Sequence, residues 1–228
     1  MKKYIGKIIL LFIVAGFTLT SCSKNDDAYS LGDIWLSLGM VETENAFGYD
    51  YIIYCDNGDT LLPAANNVPY FKTVQQQRVL INYTILDEVG LSTKKFYVKI
   101  NNLQEILFKD LIEVNSLNSD SLGNDSVAIN EIWIVNDMLN IDYQYIGGIT
   151  QHYINLAYTT DEDGNLAEPV ELEFRHNANN DQSKIILNNI VTFQLDKLKI
   201  EGQNSTDFVV KAIGLIQKEQ SFSFTYEY

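Results

Sequence analysis

The sequence contains two imidazole side chains, His152 and His176. Each keeps the two-residue spacing of an apolar strand face, so both are expected at an end of such a face and close together. Imidazoles ligate zinc or transfer protons, but no spaced set of Cys, His and carboxylate residues completes a zinc site. The Gly-x-Ser-x-Gly turn of many serine hydrolases is also missing. The sequence therefore predicts no catalytic residue, no metal and no cofactor, and the histidines are interpreted as half-buried structural side chains.

Other side chains are candidates for contact with a ligand rather than for catalysis. Arg175 lies on the predicted polar face of its strand with Glu171 and Glu173. The simplest interpretation is an exposed ion-pair ladder, which contributes under about 1 kcal/mol per pair. The alternative is a guanidinium that holds a ligand. Trp35 offers an aromatic surface on which a sugar ring can stack. The candidate ligand-binding residues are therefore Arg175, His152, His176 and Trp35.

The first 22 residues have the pattern of an export signal. Lys2 and Lys3 precede a run of ten apolar residues at 8–17, which is shorter than the roughly 20 residues needed to span a bilayer. This arrangement is typical of a secretory signal peptide, here residues 1–21. The segment Leu-Thr-Ser-Cys that ends at Cys22 resembles the lipobox of bacterial lipoproteins. The resemblance implies cleavage before Cys22, diacylglycerol on its sulfur and acylation of its amino group, so that acyl chains anchor the protein to a membrane.

The residues after Cys22 form a short polar tether at 22–30. Positions 23–27 read Ser-Lys-Asn-Asp-Asp, which resembles an acidic tag that directs some lipoproteins to the outer face of the outer membrane. A plain solvated tether is the alternative interpretation. We therefore expect an outer-membrane protein that faces the cell exterior, with the periplasmic face as the alternative.

The charge balance limits the class of partner. The formal net charge is -14. Residues 1–21 contain three lysines and no carboxylate, so removal of the signal peptide makes the mature protein more acidic. An acidic surface repels phosphate backbones, and nucleic acid is not expected as a partner.

Apolar and polar residues alternate along most of the mature chain, which is typical of strands with one solvent-facing side. The last strand shows this clearly, with Phe222, Phe224 and Tyr226 on one face. Residues 103–114 differ, because their apolar side chains recur at helical spacing; the segment fits a short amphipathic helix, which we favour, or another strand. Many short strands at this spacing predict an all-β protein made of an antiparallel sandwich or barrel.

Residues 116–127 are mostly small, polar turn-formers, a composition typical of a linker between domains. Within this segment, Asp120-Ser121-Leu122 and Asp125-Ser126-Val127 resemble a bacterial O-glycosylation sequon of Asp, then Ser or Thr, then an aliphatic residue. Ser121 and Ser126 are therefore candidate modification sites.

Segments throughout the chain are similar to the NigD-like lipoproteins. They include YSLGDIW at 29–35, QRVLINYTIL at 77–86, HYINL at 152–156 and LEFRHNA at 172–178. The resemblance implies an N-terminal OB-like barrel, here residues 31–115, followed after the linker by a C-terminal β-sandwich at 128–228. It implies no enzymatic activity, and the family name comes from an association with a bacteriocin locus.

These observations lead to one principal functional hypothesis. The chain is expected to be a non-enzymatic envelope lipoprotein that binds a glycan, a peptide or an envelope protein. An accessory or structural role in bacteriocin production or immunity is the alternative, and a hydrolase that uses paired carboxylates is a third. The apolar alternation indicates where strands lie, but it does not identify the binding surface.

Overall fold

The computed structural model describes residues 29–43, 50–148, 150–216 and 218–228. The predicted signal peptide and Cys22 lie outside the described residues, and only the last two residues of the tether are inside them. No helix in the described part is long and apolar enough to cross a membrane.

Five strands close into a barrel in the first half of the chain. They are β1 (Trp35–Thr43), β2 (Tyr51–Cys55), β3 (Thr60–Asn66), β4 (Gln77–Glu88) and β5 (Lys95–Glu105). The order around the barrel is β1-β2-β3-β5-β4, with β4 returning to β1. All pairs are antiparallel except β3 with β5. This arrangement is a closed five-stranded OB-like barrel.

Inward-facing side chains of alternate residues fill the barrel. The fully buried members are Val41, Ile53, Leu61, Val79, Ile81, Val98 and Ile100. Gly39 faces the same interior, and a Cβ at this position would lie only 2.7 Å from the side chain of Ile53. A glycine is therefore needed where β1 passes closest to β2. The turn from β2 to β3 uses Gly58 at a φ of 87°, a conformation that suits glycine in a tight hairpin.

The rest of the chain forms a sandwich of two sheets. Its strands are β6 (Leu107–Asp110), β7 (Ile112–Glu113), β8 (Ala128–Val135), β9 (Met138–Gly147), β10 (Tyr153–Tyr158), β11 (Val170–Asn177), β12 (Ile185–Gln194), β13 (Ser205–Ile213) and β14 (Glu219–Glu227). One sheet has the order β14-β13-β11-β10-β7 and the other β6-β12-β9-β8. A 3-10 helix at Asp196–Leu198 follows β12. The prediction of an all-β protein with a barrel and a sandwich is confirmed.

The helix favoured for residues 103–114 is wrong. This segment contains the end of β5 and the short strands β6 and β7. Leu103 packs in the barrel core and Leu111 in the sandwich core. The apolar residues recur at helical spacing because the chain crosses from one core to another, and not because they share one helical face.

The boundary between the domains also needs correction. β6 pairs with β12 and β7 pairs with β10, both in parallel, so the chain joins the sandwich at Leu107 and the barrel does not extend to residue 115. Residues 116–127 then connect β7 to β8 within the sandwich, where Leu122 and Val127 are buried. The predicted linker is therefore a loop folded onto the C-terminal domain.

A buried arginine joins the two domains. Arg78 on β4 forms two hydrogen bonds with the Asp56 carboxylate, at 2.6 and 2.5 Å. The same guanidinium donates to Oδ1 of Asn140 on β9 at 2.9 Å and to Oγ1 of Thr192 on β12 at 3.3 Å. Thr192 in turn donates to Asn140 at 2.7 Å. We call these four residues the Arg78 network; its arginine side chain has no exposed surface.

Candidate functional site

The outer surface of the barrel carries a row of apolar side chains across three neighbouring strands. Leu62 on β3 pairs directly with Tyr97 on β5. On the other side, Ile53 pairs with Leu61, which places Ile52 of β2 beside Leu62. Tyr54 lies two residues further along the same face of β2. We call Ile52, Tyr54, Leu62 and Tyr97 the barrel face.

The apolar character of the barrel face is not explained by the core. The alternate residues of these strands, such as Ile53, Leu61 and Val98, fill the interior without it. Tyr97 is 45% exposed and Tyr54 46%. Outward positions of a strand are normally polar, so a group of apolar side chains is unusual on the outside of the barrel.

A shallow open depression of about 360 Å³ lies against the barrel face. It is lined by Asp50, Tyr51, Ile52, Leu62, Pro63, Ala64 and Tyr97. Charged side chains of both signs lie around it: Glu42 pairs with Ile52, Asp87 pairs with Tyr97, and Lys95 is in register with Thr60. An apolar centre with a charged rim is the usual arrangement of a surface that binds a protein.

The two histidines lie together in the sandwich domain. Nδ1 of His152 is 2.8 Å from Nε2 of His176, and Nε2 of His152 is 3.2 Å from the carboxylate of Asp181. A carboxylate only accepts hydrogen bonds, so His152 donates from Nε2 to Asp181, and one imidazole donates to the other in the second bond. We call these three residues the histidine chain. His176 is buried.

The surroundings of His176 favour its neutral imidazole. Burial, and secondly the adjacent His152, lower the pKa of His176. The ring of Tyr145 packs on both imidazoles. Gly147 leaves the space that the His152 ring occupies, since a Cβ at this position would lie 2.3 Å from the ring. The histidine chain thus packs between strands, and its Asp181 also accepts from backbone N–H groups of the adjoining loops.

No metal centre is visible in the part of the chain that the structure describes. Within residues 29–43, 50–148, 150–216 and 218–228, no group of three or more His, Cys, Asp or Glu side chains could hold a metal ion.

Arg175 is engaged within the protein. Its guanidinium contacts the Glu173 carboxylate at 2.6 Å and donates to the carbonyl oxygens of Gly123 at 2.7 Å and Ser119 at 3.2 Å. These contacts hold the β7–β8 loop against β11. Arg175 therefore acts on the fold of this loop.

The remaining candidates from the sequence lie apart from one another. Trp35 stands at the start of β1, opposite Tyr83, and is 45% exposed. Ser121 is exposed and its hydroxyl donates to the carbonyl of Asn118 at 2.8 Å, whereas Ser126 is half-buried. The structure thus brings the two histidines together, and it separates them from Trp35, which belongs to the barrel.

Sequence reasoning missed the barrel face. Its residues are far apart in the chain and each alone is an ordinary strand residue. The sequence held one signal. Ile52, Leu62 and Tyr97 are apolar, although their neighbours in the chain, Ile53, Leu61 and Val98, already supply the inward-facing side chains. Only the strand register shows that these three outward side chains are neighbours.

Two family models together cover most of the described chain. Residues 38–106 match the NigD-like N-terminal OB domain, and residues 110–226 match the NigD-like C-terminal beta sandwich domain. No curated protein matches the sequence.

Solved structures with the same architecture come from Parabacteroides and Bacteroides species. One, from Parabacteroides distasonis and provisionally named a toxin-related protein, is 33% identical, with a TM-score of 0.70 over 86% of this chain and 94% of that one. A NigD-like immunity protein from Bacteroides caccae is 18% identical, with a TM-score of 0.68 over 87% and 99%. A protein from Bacteroides fragilis, provisionally named a lipoprotein, is 11% identical, with a TM-score of 0.60 over 86% and 98%. The resemblance noted in the sequence is confirmed, and the chain belongs to the NigD-like family.

Proposed function

We propose that this chain is a non-enzymatic lipoprotein of the cell envelope whose barrel face binds a protein partner. The observation that carries the proposal is the row formed by Ile52, Leu62 and Tyr97 on the outside of a barrel whose interior is already filled. OB-like barrels commonly bind their ligands on the surface of the second and third strands, which is where this row lies.

The shape of the barrel face favours a protein over a small molecule. Small-molecule sites are concave and bury most of their ligand, whereas the depression here is shallow and open. Exposed tyrosines with carboxylates and lysines at the edge resemble the centre and rim of a protein interface. The naming of a relative as an immunity protein also supports a protein partner.

Replacement of Tyr97 by serine is expected to weaken partner binding by about 2 kcal/mol, because tyrosine anchors near the centre of an interface contribute that much. The full-length protein would carry a photoreactive benzoylphenylalanine in place of Leu62, in the cells that make it. One discrete adduct with an envelope protein is expected, and Tyr97→Ser should reduce its yield strongly.

Tyr153 provides a matched control. It is exposed to the same extent as Tyr97, 46% against 45%, but lies on β10 of the sandwich. Tyr153→Ser should leave the adduct unchanged. Equal loss with both variants, or no adduct at all, would contradict a site on the barrel face. If the purified protein bound an oligosaccharide array and Tyr97→Ser abolished this binding, the ligand of the barrel face would be a glycan and not a protein.

Membrane attachment through Cys22 is the second part of the proposal. It is supported by the signal-peptide pattern and the lipobox before Cys22, and by the naming of a relative as a lipoprotein. We infer that the anchored protein faces the cell exterior, because an acidic segment follows the cysteine.

Cys22→Ala is expected to move the protein from the membrane fraction to the soluble fraction, because loss of two or more acyl chains removes the only strong attachment. Immunoblots of separated fractions measure this change. Ser23→Ala is the control and should remain with the membrane. Protease treatment of intact cells then reports which face the protein occupies. Retention of the Cys22→Ala variant in membranes would contradict the anchor.

An accessory role in bacteriocin production or immunity is a second candidate, favoured by the names of two relatives. In that case the partner of the barrel face is a bacteriocin. Cells that lack the protein should then be more sensitive to it, and the wild-type gene but not the Tyr97→Ser gene should restore protection. Unchanged sensitivity to the bacteriocin would contradict the role in immunity but not the binding of a protein partner.

We also propose that the β7–β8 loop carries O-linked glycan. Ser121 is the better acceptor because it is exposed, whereas Ser126 is half-buried beside the buried Val127. The intact mass of the loop peptide from the native host tests this modification, and the unmodified mass would exclude it.

A further inference from the structure

A second exposed apolar surface lies at the start of β1, away from the barrel face. Leu31, Ile34, Trp35 and Leu36 are 76%, 68%, 45% and 65% exposed. We call these four residues the N-terminal patch. Single exposed apolar residues are common on proteins, but here four occur within six positions at one end of the barrel. Trp35 and Leu36 lie on opposite faces of β1, because successive residues of a strand point to opposite sides. A concentration of exposed apolar side chains of this kind marks an interaction site.

Neither domain covers the N-terminal patch. β1 pairs with β4 from Trp35 to Val41, and the contact with the sandwich is made through Arg78, which is paired with Met40 at the other end of β1. Tyr29, just before the patch, packs its ring edge-on against Phe96. The chain is thus held against the barrel before it reaches the patch, and the patch has a defined position.

The position of the patch along the chain limits what can cover it. Leu31 is nine residues after Cys22, and an extended chain advances at most about 3.6 Å per residue. The patch therefore lies within about 32 Å of the anchored cysteine, and any shorter path brings it closer. A bilayer that holds the acyl chains is the largest apolar phase within this reach.

The residue types suit the boundary between headgroups and acyl chains. Tryptophan and tyrosine prefer this region, and leucine and isoleucine insert below it. Residues 25–71 contain no Lys or Arg, and Asp33 is the only charged residue within the patch segment. The patch segment itself therefore offers no cation to anionic headgroups, and its own contact with a membrane comes from burial of apolar surface.

We propose that the N-terminal patch rests in the interfacial layer of the membrane to which Cys22 is anchored. This inference depends on the lipid anchor of the proposed function and adds to it an orientation. The start of β1 faces the bilayer, and the acyl chains and the patch hold the barrel at two points instead of one.

Quenching of Trp35 by brominated lipid tests this orientation. The acylated mature protein would be reconstituted in phosphatidylcholine vesicles with Trp133 replaced by phenylalanine, so that Trp35 is the only fluorophore of its kind. Bromine on the acyl chains is expected to reduce the Trp35 emission by roughly half, as for an indole at the interface. Because the contact is apolar, the quenching should be insensitive to salt.

Two double variants separate the patch from other apolar surfaces. Ile34→Asn with Leu36→Asn should abolish most of the quenching while the protein stays anchored. Ile185→Asn with Ile186→Asn is the control, since both isoleucines are 59% exposed but lie on β12 of the sandwich, and it should not change the quenching.

The outcomes distinguish the inference from the proposed function. Acylated, membrane-bound protein without quenching of Trp35 overturns the orientation and leaves the anchor intact. Absence of Trp35 quenching together with a dimer in sedimentation would show that the N-terminal patch contacts a second copy of the chain instead of the membrane. A mature protein without acyl mass overturns the anchor and the orientation together.

Discussion

Replacement of Asp56 by alanine is expected to destabilise the protein by about 3–5 kcal/mol, because it leaves a buried guanidinium without its counter-charge. The side chain of Arg78 has no exposed surface, so water cannot replace the lost carboxylate. Asn140 and Thr192 still accept hydrogen bonds, but neither carries a charge. For a protein of this size, the melting temperature should fall by roughly 10 °C.

Thermal unfolding of the full chain measures this loss of stability. Two further variants test whether it comes from the buried, unpaired charge. Glu173→Ala removes the partner of Arg175, a half-exposed pair, and should cost under about 1 kcal/mol. The double variant Asp56→Ala with Arg78→Met removes both charges and should recover most of the stability, since a well-packed apolar pair often replaces a buried ion pair. A melting temperature for Asp56→Ala equal to that of Glu173→Ala would contradict a stabilising role for the buried pair of Arg78 and Asp56.

Replacement of Asp181 by alanine is expected to destabilise the sandwich by about 1–3 kcal/mol, because four N–H donors lose one buried acceptor at once. One carboxylate oxygen accepts from the backbone N–H groups of Gly148 at 2.8 Å and Thr150 at 3.1 Å, and from His152. The other accepts from the N–H of Ser183 at 2.8 Å. The carboxylate is almost completely buried, whereas Gly148 and Thr150 are exposed, so water can replace part of what their N–H groups lose.

The imidazole signals in NMR spectra report the specific part of this effect. Without Asp181, nothing requires His152 to carry its proton on Nε2, and the tautomer of the whole histidine chain should change. Asp161→Ala is the control, because Asp161 also accepts two backbone N–H bonds, at 2.9 and 2.8 Å, but in an exposed turn. It should leave both the stability and the imidazole signals nearly unchanged. Unaltered signals in Asp181→Ala would contradict the assigned direction of the hydrogen bonds.

The alternation of apolar residues predicted most of the strands, because each strand has one buried face. In β11, for example, Val170, Leu172 and Phe174 are buried while Glu171 and Glu173 are exposed. The same rule placed His152 and His176 at neighbouring ends of two apolar faces, and β10 and β11 are paired neighbours. Where one face is buried, the sequence contains the information needed.

The failures have a common physical origin. The two-residue alternation of apolar side chains shows which side of a strand faces inward, but it does not show which strand is its neighbour in the sheet. The barrel face depends on that adjacency and was therefore not predictable. Composition also does not distinguish a loop between two domains from a loop within one domain. The apolar residues Leu122 and Val127 were the signal in the sequence that residues 116–127 pack against the sandwich, where both are buried.

The chain passes from the barrel to the sandwich at Ile106. This position limits where recombination between two related genes could exchange one domain for another. The break in composition near residue 116 suggests a natural site for recombination between two genes, yet an exchange there would separate β6 and β7 from the sheets that they complete. An exchange at residue 106 would keep each sheet whole but would pair an inherited Arg78 with foreign residues at positions 140 and 192. A chimaera joined at residue 106 would therefore keep the Arg78 network only if positions 78, 140 and 192 came from the same parent.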